Sequence, residues 1–331
     1  MDAVTLPLIL VLLLVLGAEF VNGWTDSPNA IATVISTRAL SPGKAVAMAS
    51  ILNMVGVVFS GTAVATTIGK GIVDPKVLDL ISIAGAVTGL IFWSTLTARW
   101  GIPTSESHAL VAGLAGAGLA SGGFDVLLWS GWQKVLLGLL FSSVIGMGGG
   151  LVIMTGIYWA FRKAPPTKAR GWFRYLQVFS SAFMAYSHGS NDGQKFMGVF
   201  AMALVLGGVL PSFQIPFWVI LLCAGVMALG TVTGGWRIIK TMGYKVTKLD
   251  TSQGFAAEMG AASTIELASR LGIPLSTTHT ISTSIMGVGA VRRFSAVRWG
   301  VTGQLVTAWI LTFPICGAIS YVLVKLLRAV A

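Results

Sequence analysis

Apolar residues along this chain fall in long blocks separated by short polar runs. No Asp, Glu, Lys or Arg occurs in 45–69, 80–98, 107–124, 135–161, 175–191, 196–236, 271–291 or 299–324. A helix needs about 20 such residues to cross a bilayer, so most of these blocks are long enough to span. Block 196–236 is interrupted by Pro211-Ser212-Phe213-Gln214-Ile215-Pro216 and predicts two elements. The apolar start, Ala3 to Ala18, follows Asp2 with no basic residue before it, which predicts a first span and not a cleaved leader. No segment is polar or long enough for a soluble domain. The pattern predicts an all-α polytopic membrane protein.

Within this pattern one segment occurs twice, 171 positions apart. Arg99-Trp100-Gly101-Ile102-Pro103-Thr104-Ser105-Glu106-Ser107-His108 matches Arg270-Leu271-Gly272-Ile273-Pro274-Leu275-Ser276-Thr277-Thr278-His279 at six of ten positions, and Gly116 and Gly118 keep register with Gly287 and Gly289. A weaker pair lies upstream: Asn22-Gly23-Trp24-Thr25-Asp26-Ser27-Pro28-Asn29 against His188-Gly189-Ser190-Asn191-Asp192-Gly193-Gln194-Lys195. In each weak copy an apolar run meets Gly, a hydrogen-bonding residue and Asp, then resumes. This predicts discontinuous helices at both places, with Pro28 preventing continuous helix in the first.

Charge orients the repeat. The basic clusters are Arg38/Lys44, Arg162/Lys163/Lys168/Arg170/Arg174, Arg237/Lys240/Lys245/Lys248 and Arg292/Arg293/Arg298. Placed together in the cytoplasm, they give residues 1–161 and 175–331 the same element order in opposite orientation, joined by a basic linker, 162–174. Lys70 and Lys76 then fall outside. The motif-bearing pairs, 77–98 with 104–121 and 254–270 with 275–291, are each two full spans or one re-entrant hairpin, which loop charge does not separate; the tips favour hairpins. Gly-Ile-Pro and hydroxyls suit a protein-lined cavity better than a surface loop. The net charge of +11 is thereby assigned to loops and not to nucleic-acid binding. Cys223 and Cys316 lie in apolar spans and read as packed small residues.

The tips offer hydroxyl donors: Thr104, Ser105 and Ser107 in one, Ser276, Thr277 and Thr278 in the other. With the free N–H groups of two half-helix starts, led by Pro103 and Pro274, they form a candidate oxyanion cradle rich in neutral donors. The alternative is plain helix capping. Asp26 and Asp192 at the predicted breaks, Glu106 in one tip and Glu258 on the arm to the other are intramembrane acids, functional by default. Glu19 and Glu266 are further acids of this kind. With the carbonyls of Asn22, Asn29 and Asn191 the acids make hard oxygen sites for an alkali or alkaline-earth cation, sodium at Asp26 and Asp192 for instance, or for a proton. Lys195 either touches the anion or neutralises Asp192. His108 and His279 are candidates for supporting donors, relays or packed core. Arg99 and Arg270 precede the tips and are expected to bond carbonyls at the ends of the incoming arms. No Gly-x-Ser-x-Gly elbow, Walker sequence or histidine cluster argues for an enzyme or an ATP-driven pump.

These motifs together resemble those of the PiT family of inorganic phosphate transporters, more narrowly the bacterial low-affinity permeases. Val21-Asn22-Gly23-Trp24-Thr25-Asp26-Ser27-Pro28-Asn29-Ala30, continued by Ala32 to Ala39, is similar to the first family signature. Ser187-His188-Gly189-Ser190-Asn191-Asp192-Gly193-Gln194-Lys195 resembles the second. Gly254-Phe255-Ala256-Ala257-Glu258 and Pro274-Leu275-Ser276-Thr277-Thr278-His279 complete the set. Trp24-Thr25, Pro28 and Glu106 depart from the common pattern. The resemblance implies cation-coupled phosphate uptake, inverted repeats, often a dimer, and residence in the cytoplasmic (inner) membrane, with no cofactor beyond the coupling Na⁺ or H⁺. The rival readings are a permease for sulfate or another tetrahedral oxyanion, and a phosphate sensor that does not transport.

Overall fold

The computed structural model describes residues 5–330, apart from the side chains of 166–168. Asp2 and Ala3, where the sequence places the start of the first span, lie outside these residues, as does the Lys168 side chain. Twelve α-helices, with a five-residue π-helical turn at Thr241–Lys245, make up most of the described residues. They are α1 (Leu6–Ser36), α2 (Pro42–Phe59), α3 (Ala63–Gly71), α4 (Leu80–Trp100), α5 (Glu106–Gly122) and α6 (Trp129–Ala160), then α7 (Pro166–Leu206), α8 (Phe217–Thr233), α9 (Trp236–Lys240), α10 (Thr251–Arg270), α11 (Thr277–Arg292) and α12 (Trp299–Val330). Helices α1, α2, α4, α6 and α12 are long and apolar enough to cross a membrane; α8 and α9, bent by 60° at their junction, make a sixth if counted as one span. Their exposed faces carry large apolar side chains such as Leu13, Ile51, Leu140, Val152, Leu229 and Ile310.

The element order of α1–α6 recurs in α7–α12, and the packing recurs with it. α1 packs on α8 and α7 on α2; α5 packs on α12 and α11 on α6; α4 packs on α1 and α10 on α7. Glycine makes the close crossings possible. A Cβ on Gly23 would lie 2.3 Å from the Met227 carbonyl oxygen, and one on Gly189 would lie 2.1 Å from that of Asn53. Small residues at such crossings let apolar helices associate where lipid offers no hydrophobic gain.

These same glycines correct the sequence reading. α1 and α7 run unbroken through Asn22–Asn29 and His188–Lys195, so the predicted discontinuities are not there. Gly23 and Gly189 serve helix crossings, and tertiary packing overrides their poor helix propensity. Pro28 is accommodated by its neighbours. It leaves the Trp24 carbonyl without an amide partner, and the Ser27 hydroxyl donates to that oxygen at 3.2 Å. Ser27 Oγ also accepts from the Gly235 amide at 3.2 Å, seating the α8–α9 junction against the proline.

The breaks fall elsewhere. The predicted span 45–68 is two helices, parted at Gly61 (φ 78°), and 216–236 parts at Gly234 (φ 61°). The Gly-Ile-Pro breaks are present as expected. Gly101 (φ 71°) and Gly272 (φ 68°) end α4 and α10 in the left-handed conformation that favours glycine. Pro103 and Pro274 are not in the first turn of the next helix. α5 starts at Glu106 behind Ser105, and α11 at Thr277 behind Ser276, so each proline lies in the extended lead to its cap. The 162–174 connection is also shorter than read, because Pro165 and Pro166 start α7.

Candidate functional site

The unbroken helices α1 and α7 carry their signature residues into the space between the two tips. Asp26 accepts from Thr278 Oγ1 at 3.2 Å, and Asp192 accepts from Thr277 Oγ1 at 3.1 Å. Asn29 donates to Thr278 Oγ1 at 3.0 Å and to Thr277 Oγ1 at 3.3 Å. Lys195, fully buried, donates to Asp192 Oδ1 at 2.6 Å, to the Leu275 carbonyl at 3.1 Å and to Ser107 Oγ. Ser107 in turn donates to the Leu275 carbonyl at 2.7 Å, so the two tips touch directly. Lys195 is thus paired with Asp192.

His188 completes this centre. Its Nδ1 lies 3.1 Å from Asn53 Oδ1, and Asn53 is oriented by its own amide, which donates to Thr231 at 3.0 Å. That arrangement puts the proton on Nδ1 and turns the Nε2 lone pair toward Asp192 Oδ2, 3.5 Å away. Nε2 has no hydrogen-bond partner. Asp26, His188 and Asp192 each bring one ligand atom to within 4.8 Å of the others, all buried. Lys195 answers the Asp192 charge, but Asp26 and the imidazole lone pair have no counter-charge in contact among the described residues, so a cation or proton placed among the three groups would be stabilised. The residues present therefore fit a bound cation.

Glu106 is the third acid at this centre. It accepts from Thr25 at 2.8 Å and from Ser94 at 2.5 Å. Ser105 and Ser276 cap their helices, accepting from the His108 and His279 amides at 3.3 and 3.1 Å. Capping, the alternative reading, is therefore present at both. Thr104 shares a hydrogen bond with Thr97 at 3.0 Å on the arm just before it. Asn191 braces the second tip, donating to Ser269 at 2.9 Å and to the Ile273 carbonyl.

Other candidates make contacts outside this centre. Glu258 belongs to a separate buried cluster, where Thr33, Ser180 and Gln177 donate to it. Thr33 and Asp26 are seven residues apart on α1, about 10 Å at 1.5 Å per residue, which puts this cluster away from the aspartate pair. The Asn22 amide donates to Glu19 at 3.4 Å, and its carbonyl oxygen is buried without a hydrogen-bond partner among the described residues. His108 and His279 meet each other edge-on, with ring centroids 4.5 Å apart, and touch no carboxylate. Arg270 pairs with Glu266 one turn back, at 2.9 Å, instead of bonding a carbonyl. The carbonyl at the end of α4 is instead reached by Arg237, which donates to Arg99.

A model of the phosphate transporter family matches residues 22–320. The chain belongs to the phosphate transporter family. It is 46% identical over 97% of its length to a Rhizobium meliloti protein named "Probable low-affinity inorganic phosphate transporter", of which it covers 97%. It is 39% identical, over 99% of the chain and 100% of the relative, to a Bacillus subtilis protein of the same name. A solved structure titled "The sodium-dependent phosphate transporter" superposes with a TM-score of 0.92 at 26% identity, covering 99% of this chain and 100% of that one. As a member of the family the protein is a phosphate transporter of the membrane and not an enzyme, and its long apolar helices make it multi-pass.

Several residues of the centre and of the Glu258 cluster carried no distinct signal in the sequence. Thr25, Ser94, Thr33 and Ser180 are hydroxyls in apolar helices, where bonding to a nearby carbonyl of the same helix is the ordinary expectation. Asn53 was findable as a lone amide in the uncharged block 45–69. His188 lies in the second signature, but the matching position is Asn22, so the repeat did not mark it.

Proposed function

We propose that the protein is a symporter that moves inorganic phosphate inward across the cytoplasmic membrane together with a cation. The observation that carries this reading is the convergence of Asp26, His188 and Asp192 within 4.8 Å beside the hydroxyls of both tips. In this reading the cation sits among the two aspartates and the imidazole. Ser107, Thr277, Thr278 and the first N–H groups of α5 and α11 hold the phosphate next to it, with Ser105 and Ser276 fixing those helix starts and Thr104 steadying one arm. Each bound ion lowers the cost of the other in a low-dielectric site, so binding is mutually dependent. Sodium is the first cation to test, because the superposed structure is named for sodium dependence.

The recurring element order and the positions of the basic clusters support two repeats of opposite orientation, with α4–α5 and α10–α11 as hairpins whose tips lie at the site. Phosphate is favoured over sulfate by Glu106, Asp26 and Asp192. A protonated phosphate oxygen can donate to a carboxylate, and sulfate cannot. The test is radiolabelled phosphate uptake into proteoliposomes with sodium and proton gradients imposed separately. Uptake driven by one gradient and competed by unlabelled phosphate but not sulfate is the expected result. Uptake indifferent to both gradients overturns coupling.

A further inference from the structure

The two tips are joined by rings as well as by hydroxyls. His108 and His279 occupy the third positions of α5 and α11 and meet edge-on. Trp309 of α12 stacks on His279, with centroids 3.8 Å apart and planes 29° from parallel. The same indole donates its N–H to the Pro103 carbonyl at 3.1 Å. Phe313, further along α12, packs on His108 at 5.1 Å. One buried side chain thus grips both tips, the second by its face and the first by its edge. Counted from the tryptophans that open α6 and α12, Trp129 and Trp299, the residue matching Trp309 is Leu139, so the bridge has no twin in the other half.

We propose that Trp309 is a positioning residue that holds the two tips in the register that binds phosphate. The inference rests on the reading of the tips as the phosphate cradle. Pro103 lies two residues before the Ser105 cap, so a shift of its carbonyl moves the first N–H groups of α5. His279 lies in the first turn of α11, and its ring position fixes where that turn points. Leucine at this place fills space but offers neither a flat face to imidazole nor an N–H to the carbonyl. Trp309 acts on the anion through both tips without touching it, and its grip loosens when they part.

Phosphate uptake is to be measured at matched amounts of reconstituted full-length protein for the wild type, Trp309→Phe and Trp309→Leu. Tryptophan emission is recorded with and without phosphate, cation present. Phenylalanine keeps the stack and loses the N–H, so phosphate KM should rise about three- to ten-fold, as for one neutral hydrogen bond. Leucine loses both, and KM should rise further. The maximal rate per transporter should stay within about two-fold, since the variants weaken a binding geometry and not a transport step. The wild type should change its emission on phosphate addition, and Trp309→Phe should not, although ten of the 11 tryptophans remain. A side chain that merely fills space would lower yield or maximal rate and leave KM alone. Unchanged KM in both variants, or an emission response that persists in Trp309→Phe, overturns the proposal. Thr277→Val separates the two levels. If it weakens phosphate while Trp309 variants do not, the bridge fails and the cradle stands; if it too is without effect, the cradle reading fails.

Discussion

Asp26 and Asp192 occupy matching positions, yet their surroundings predict opposite responses to Asp→Asn. Asp192 is paired with the Lys195 ammonium at 2.6 Å, and both side chains are fully buried. Asp26 has one hydroxyl donor, Thr278, and no basic partner in salt-bridge contact among the described residues. Asp192→Asn keeps an acceptor for Lys195 but removes the charge paired with the buried ammonium, and breaking a buried pair in this way costs about 3–5 kcal/mol. Asp26→Asn keeps an acceptor for Thr278 and removes a buried charge that has no ion-pair partner in contact among the described residues. Without cation, its stability should equal or exceed that of the wild type. With cation the order reverses. A cation at a hundred times its Kd stabilises the folded protein by about 2.7 kcal/mol, and Asp26→Asn should lose this increment. Thermal and denaturant unfolding in detergent, in sodium against choline and at fixed phosphate, reads both effects. The double variant Asp192→Asn/Lys195→Met should be more stable than Asp192→Asn alone, because it removes the orphaned charge. Equal destabilisation by the two Asp→Asn changes, or full sodium stabilisation in Asp26→Asn, would refute the reasoning.

Ser105→Ala and Ser276→Ala should each cost about 0.5–2 kcal/mol of stability through loss of a helix cap, whereas Thr278→Val should reduce phosphate affinity with a smaller stability change; unfolding and binding measured on one preparation separate them. Gly23→Ala and Gly189→Ala place a Cβ within 2.3 and 2.1 Å of a carbonyl oxygen on the crossing helix, and overpacking of this kind should lower stability by about 1–3 kcal/mol or more. Cysteines at Asp125 and Gln214 should label from outside and those at Gly171 and Lys248 only from inside, as the basic clusters require; outside labelling at Gly171 would overturn the opposite orientation of the halves. Burial pushes the Asp79 carboxyl up, but hydrogen bonds from Ser82 and the contact with Arg328 outweigh it and hold the group below its ordinary value. Its small contribution should be present above about pH 4 and fade as pH falls through the lowered value, and Arg328→Met should weaken that acid-limb dependence in unfolding measurements.

Three things were legible in the residues alone. The uncharged blocks placed most of the long helices, because lipid admits little else, although 45–69 holds two helices and α7 runs through two blocks. The duplicated Gly-Ile-Pro segments located the breaks at the tips, though not those at Gly61 and Gly234, since the left-handed residue at the end of α4 and of α10 favours glycine and the proline bars helix directly after it. The signature acids pointed to the centre, because charge at membrane depth is too costly to keep without use. Tertiary structure decided the rest. Asn-Gly-x-x-Asp reads locally as a break, but Gly23 and Gly189 face carbonyls of crossing helices, and only the crossing reveals that their purpose is close approach. Pro28 sits inside a helix because the Ser27 hydroxyl donates to the Trp24 carbonyl that it leaves unbonded, while Gly235, from the other half, donates to that hydroxyl. Lys195 was ambiguous by spacing and became the partner of Asp192 once α7 was straight. Glu258 looked equivalent to Glu106 by charge and depth, yet α10 carries it to a cluster of its own. Hydroxyls, amides and His188 entered the site through contacts between elements far apart in the chain, and such contacts leave no periodic trace in a single sequence.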